Sequence, residues 1–133
     1  MGSDSNAFRQ KTEAIEDTLA RMARAVETID RATPEVNACI VKAEGQIKAT
    51  NVKFPFVFER PMMCGWRLAW AKVGQEWRLA VYENGGAYEP LVQAPRHVRI
   101  DSIDYLPLLI RRMADHAEEL AAVAMQAVGG KGP

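Results

Sequence analysis

The chain has 133 residues, 17 Lys and Arg against 17 Asp and Glu, and 48% apolar residues, which suits one ordinary domain and is too short for two. A compact chain of this mass exposes roughly 7,000 Å² and buries about two-thirds of its unfolded surface, so neither a disulfide nor a metal is needed to hold it. Zero formal charge and an isoelectric point near 6.7 exclude a surface wholly committed to nucleic acid or to an anionic membrane.

The opening stretch to Asp17 contains neither a basic segment nor an apolar one, and the apolar run from Leu120 is far shorter than the ~20 residues of a bilayer span. No export signal or membrane segment is expected, and the placement expected is cytoplasmic. Residues 1–6 and 129–133, small and polar without period, are expected to be flexible ends of a single domain spanning 1–133. Cys39 and Cys64 stand among apolar or small neighbours and are expected to be buried thiols of a reducing compartment.

From Phe8 through Thr12, Ile15, Leu19, Met22 and Val26 to Ile29 the seam positions step by three and four, which predicts an amphipathic helix over about residues 6–31. Such a helix would run roughly 39 Å, beyond the ~17–20 Å strands of a small sheet, so part of its seam calls for a partner. Thr33-Pro34 should end it, because proline cannot continue the hydrogen-bond ladder. The next segment reads two ways. Val36, Ile40, Ala43 and Ile47 have helical spacing, while the β-branched pair Ile40-Val41 and alternation over 36–43 favour a strand buried on both faces; the strand is the expectation.

Val52, Phe54, Phe56 and Phe58 alternate with outward positions, and Pro55 removes a donor, which predicts an edge strand. Two runs, 66–73 and 76–83, flank Gly74-Gln75 as a two-residue hairpin. The turn sets the register: Val73 opposite Glu76, Lys72 opposite Trp77, Trp70 opposite Leu79, Leu68 opposite Val81. Trp66, Leu68, Trp70, Trp77, Leu79 and Val81 then share the core face, with Arg67, Ala69, Ala71, Arg78, Ala80 and Tyr82 on the other. Asn84-Gly85-Gly86 is a turn, and residues 90–94 are expected to add a short strand before Pro95. A last helix is expected over about 103–128, with Asp101, Ser102 and Asp104 as N-cap candidates, Pro107 in its first turn, and the seam Leu106, Leu109, Met113, His116, Leu120, Val123, Ala127. The fold class is α+β: a long N-terminal helix, an antiparallel meander of three to five strands and a long C-terminal helix, with the helices on one sheet face.

No arrangement of these residues completes a catalytic motif. His116 lies in an apolar seam beside Asp115 and within reach of Glu119, where a carboxylate could tune an imidazole, and a ligand site or enzyme centred on it with Tyr82 or Cys64 is one alternative. Cys39, Cys64, His97 and His116 lack metal-ligand spacing, and no serine stands in a nucleophile elbow. No catalytic residue, cofactor or metal is therefore expected. Residues 33–100 carry a net +3 and residues 101–128 a net −3, and Arg67 and Arg78 near Tyr82 suggest the alternative that ranks before the His116 site, a binder of single-stranded nucleic acid. The tryptophans that would stack bases fall on the core face, which weighs against it. The leading expectation is a non-enzymatic binding or assembly module whose protein partner the sequence does not identify, and which is itself expected to form a homodimer; Arg67, Arg78, Tyr82 and His116 are the candidate partner or ligand residues.

Overall fold

A computed structural model describes residues 2–129, and the chain divides into two compact units, Met1–Glu35 and Val36–Pro133. In chain order the elements are α1 (Gly2–Ala49), β1 (Phe56–Val57), β2 (Arg67–Val73), β3 (Glu76–Tyr82), β4 (Glu89–Pro90), a 3-10 turn (Leu91–Gln93) and α2 (Arg96–Gly129). The fold is α+β, with two long helices and a four-stranded antiparallel sheet in the order β1-β2-β3-β4. Of the ends expected to be flexible, Gly2–Asn6 belong to α1 and Gly129 closes α2; residues 1 and 130–133 lie outside the described residues.

The first unit is helix throughout its described length, and its side chains from Ser5 to Thr28 are all exposed. Helix α1 does not end at Thr33-Pro34, and residues 36–43 are helix rather than strand. Pro34 cannot donate to the Asp30 carbonyl, a loss confined to one rung, while the Thr33 hydroxyl donates to the Ile29 carbonyl at 2.7 Å. Against that single loss stands a continuous helical stripe in the second unit: Ile40 and Ile47 are buried, and Val36 and Ala43 pack against the same core. Tertiary burial thus overrides the local β preference of Ile40-Val41. The helix stops where Asn51 takes a left-handed φ of 60° and its N–H donates to the Lys48 carbonyl at 3.0 Å.

The hairpin follows the predicted register at every pair, including Trp70 opposite Leu79 and Leu68 opposite Val81. Gly74 has a φ of 64°, the positive value that the first position of a type II′ turn requires. The alternation over 52–58 is present in burial, but only Phe56–Val57 pair with β2, as an edge strand. Residues 91–93 form a 3-10 turn rather than a strand; Leu91 is buried, and β4 is confined to Glu89–Pro90.

Helix α2 begins seven residues earlier than the capping residues suggest. The Pro95 carbonyl accepts the Val98 and Arg99 N–H groups at 2.9 and 3.1 Å, and Val98 is fully buried. Asp101 and Ser102 are consequently not caps: Ser102 is buried and donates to the Arg99 carbonyl, and Asp101 accepts the Cys64 N–H at 2.8 Å. Pro107 sits inside the helix rather than in its first turn.

Leu68, Trp70, Leu79 and Val81 of the sheet form one buried cluster with Ile40 and Ile47 of α1 and Leu106, Leu109 and Met113 of α2. In this unit both helices therefore serve the tryptophan-bearing face of the sheet. The Trp70 indole N–H, buried with the ring, donates to the Val52 carbonyl at 3.0 Å, fixing the segment between α1 and β1.

Candidate functional site

The most conspicuous feature of the first unit is an apolar seam with nothing over it. Phe8 is 75% exposed, Ile15 60%, Leu19 51%, Met22 56% and Val26 41%. Two threonines stand in the seam, and their hydroxyls are satisfied within the helix: Thr12 and Thr33 donate to the Phe8 and Ile29 carbonyls at 3.0 and 2.7 Å. Flanking the seam on one side are Arg9, Glu16, Ala23 and Asp30, and on the other Lys11, Thr18, Ala25 and Ala32. These are the positions that flank the core of a coiled coil, and the alanines among them let a neighbouring helix approach closely. On the outer face Glu27 and Arg31 form an exposed ion pair at 3.7 Å.

In the second unit the seam of α2 changes character along its length. Leu106, Leu109 and Met113 are buried, His116 is half-buried, and Leu120, Val123 and Ala127 are exposed, as are Met125 and Val128 beside the seam. From Leu120 to Val128 the helix carries no charge at all. An open groove of about 420 Å³ between the last turns of α1 and the middle of α2 is lined by residues such as Ala43, Ile47, Val52, Ile110, Met113 and Ala117. No ionisable group lines it, so it offers shape and apolar contact but no acid-base chemistry.

The four residues singled out from the sequence do not form one site. Arg67 and Tyr82 are cross-strand neighbours on the face opposite the core, where Tyr82 meets the Tyr88 ring edge-on at 5.0 Å. Burial, then the neighbouring Tyr82, pushes the Tyr88 phenol above its ordinary value. Arg78 lies two residues before Ala80 on the same face but turns to Glu44 of α1, with nitrogen-oxygen distances of 3.3 and 3.4 Å. His116 belongs to α2 on the other side of the sheet, between the rings of Phe54 at 5.2 Å and Phe56 at 5.6 Å, and its Nδ1 is 4.0 Å from the Glu119 carboxylate. It has the carboxylate neighbour foreseen at i+3, together with these two aromatic rings.

The cysteines are both free, and Cys39 is exposed rather than buried, since the helix through 36–43 turns it outward. Cys64 is half-buried, and burial raises its thiol pKa above the usual 9.0, with the Asp101 carboxylate adding to the shift. Among the described residues no group of three or more His, Cys, Asp and Glu side chains converges as a metal site would need, and no helix is long and apolar enough to cross a membrane.

Two contacts escaped the reading of the sequence. Glu44 is buried and accepts the Leu79 N–H at 2.9 Å as well as Arg78, and Arg99 donates to Asn37. Reading 36–43 as a strand hid both, because only the helix brings Asn37 and Glu44 into line with Ile40 and Ile47. Comparison with known protein families, with curated proteins and with solved structures finds no match for this chain.

Proposed function

We propose that the chain is a non-enzymatic assembly module that binds a second copy of itself through the apolar seam of residues 8–29. The observation that carries this reading is a single pattern met in two environments. The three-four spacing of the sequence continues from Phe8 through Thr33 to Val36, Ile40, Ala43 and Ile47 without a break. Its later members are covered by their own sheet, whereas Phe8 to Val26 are covered by nothing.

Two physical arguments support a partner. A lone helix in water draws most of its stability from packing an amphipathic face, and from Phe8 to Val26 that face is exposed. The chain also exposes 9432 Å², about a third more than a compact chain of its mass, and this surplus of roughly 2,400 Å² is more than the about 800 Å² that each partner contributes to an interface of standard size.

Sedimentation equilibrium tests the reading. The wild-type mass is expected to exceed the 14.8 kDa of one chain and to fall towards it on dilution. Leu19→Glu, which places a charge at the centre of the seam, should yield the monomer at concentrations where wild type associates. A wild-type mass equal to one chain at every concentration overturns it.

A further inference from the structure

We infer that the two copies exchange their N-terminal helices, the exposed seam of residues 8–26 in each lying in the apolar groove of the other's second unit and along the tail of its α2. This rests on the self-association proposed above and names the surface that receives the seam. Ile110, Met113, Ala114 and Ala117 line the groove from α2, and Ala43 and Ile47 line it from α1. Past Ala117 the same face of α2 continues at steps of four and three through Ala121 and Ala124 to Val128, flanked by Leu120. All four of these residues are exposed, Leu120 by 43% and Val128 by 69%. The second unit therefore holds an open apolar strip from Ile110 to Val128, as the first holds one from Phe8 to Val26.

The two strips fit each other in length, in chemistry and in area. Each is about 27 Å long at the 1.5 Å rise of a helix. No ionisable group lines the groove, and α2 carries no charge from Leu120 to Val128. The seam is uncharged as well, and the Thr12 hydroxyl is already bound to the Phe8 carbonyl. An amphipathic helix laid in such a groove buries apolar surface on both sides and strands no charge between them. Pairing seam with seam would use one strip per copy and leave the groove and the α2 tail in water. The exchange covers both strips of both copies, which doubles the contact and brings it towards the about 800 Å² per partner of a standard interface.

Sedimentation equilibrium of the full chain reads the exchange, with wild type beside the variants. Ala114→Glu and Ala124→Glu each put a charge in the α2 strip at an exposed position, and circular dichroism should show unchanged helix content. Each should weaken self-association at least tenfold, as Leu19→Glu should from the seam, because the contact would bury a charge without a partner. Mixed in equal amounts, Leu19→Glu and Ala114→Glu should associate at concentrations where each alone is a monomer. In that heterodimer the intact seam of the Ala114→Glu copy lies in the intact groove of the Leu19→Glu copy, so one of the two contacts survives. If both α2 variants associate as tightly as wild type, with wild type a dimer, the exchange is overturned, self-association stands and the groove takes a different occupant. A mixture that stays monomeric also overturns the exchange. A monomeric wild type overturns the self-association reading itself, and this inference with it.

Discussion

The Glu44 carboxylate accepts the Leu79 backbone N–H at 2.9 Å, so a side chain of α1 completes the hydrogen bonding of strand β3. In an antiparallel strand alternate residues direct their N–H away from the neighbour they pair with. On the side of β3 away from β2, strand β4 reaches only Ala80 and Val81, and Glu44 serves the next position along. The same carboxylate holds Arg78 at 3.3 and 3.4 Å, which satisfies its second oxygen.

Glu44→Ala should therefore destabilise the second unit by about 2–3 kcal/mol, since it leaves a buried N–H and a half-buried guanidinium without their acceptor. Glu44→Gln keeps one acceptor oxygen for Leu79 and should cost less than half as much. Urea melts of the two variants distinguish this contact from a surface ion pair, for which both changes would fall under about 1 kcal/mol.

Trp70 is fully buried opposite Leu79, with its indole N–H on the Val52 carbonyl. Trp70→Ala should cost about 3–5 kcal/mol, the range for deleting a large core aromatic. Trp70→Phe keeps most of the packing and loses the hydrogen bond, so a loss nearer 1–2 kcal/mol is expected. A Trp70→Ala loss below about 1 kcal/mol would place the ring outside the core.

The two thiols should separate cleanly in reactivity. Cys39 is exposed, while Cys64 is half-buried with its pKa raised by that burial, and the thiolate is the reactive form. Timed alkylation at pH 8 followed by mass spectrometry should label Cys39 first. The raised pKa values of Cys64 and Tyr88 have a further consequence. In the folded chain both groups hold their protons above the ordinary values of 9.0 and 10.0, so the unfolded chain loses protons first as pH rises. Stability from these groups is fully present below pH 9 and declines above it. Melts between pH 7 and pH 10.5 should show that decline, and Cys64→Ala should flatten its lower part.

Arg78 is engaged by Glu44, and Arg67 reaches the Glu59 carbonyl at 3.4 Å, while Trp66, Trp70 and Trp77 belong to the core side of the sheet. A labelled mixed-sequence oligonucleotide should accordingly show no submicromolar binding that falls steeply with salt, the mark of several phosphate contacts. Anisotropy at low and physiological salt reads this out directly. Tight, salt-steep binding lost in Arg67→Ala would restore the nucleic-acid reading.

What the sequence determined by itself was local and periodic. The Gly74-Gln75 turn set the pairing of Leu68, Trp70, Leu79 and Val81, because a two-residue loop leaves one register and a one-residue slip would turn every tryptophan outward. The three-four spacing of Phe8 to Ile29 marked a helix with more seam than a small sheet can cover. Tertiary structure decided what local signals left balanced. Residues 36–43 carry both periods, and burying Ile40 and Ile47 with Trp70 and Leu109 outweighed their β-branched preference and the proline before them. The start of α2 was decided the same way, by the burial of Val98 rather than by the capping residues Asp101 and Ser102. Glu44 shows the limit most plainly: a carboxylate among apolar helix positions gives no sign in sequence that it faces a strand's N–H, since that partner lies 35 residues away and exists only once the sheet has formed.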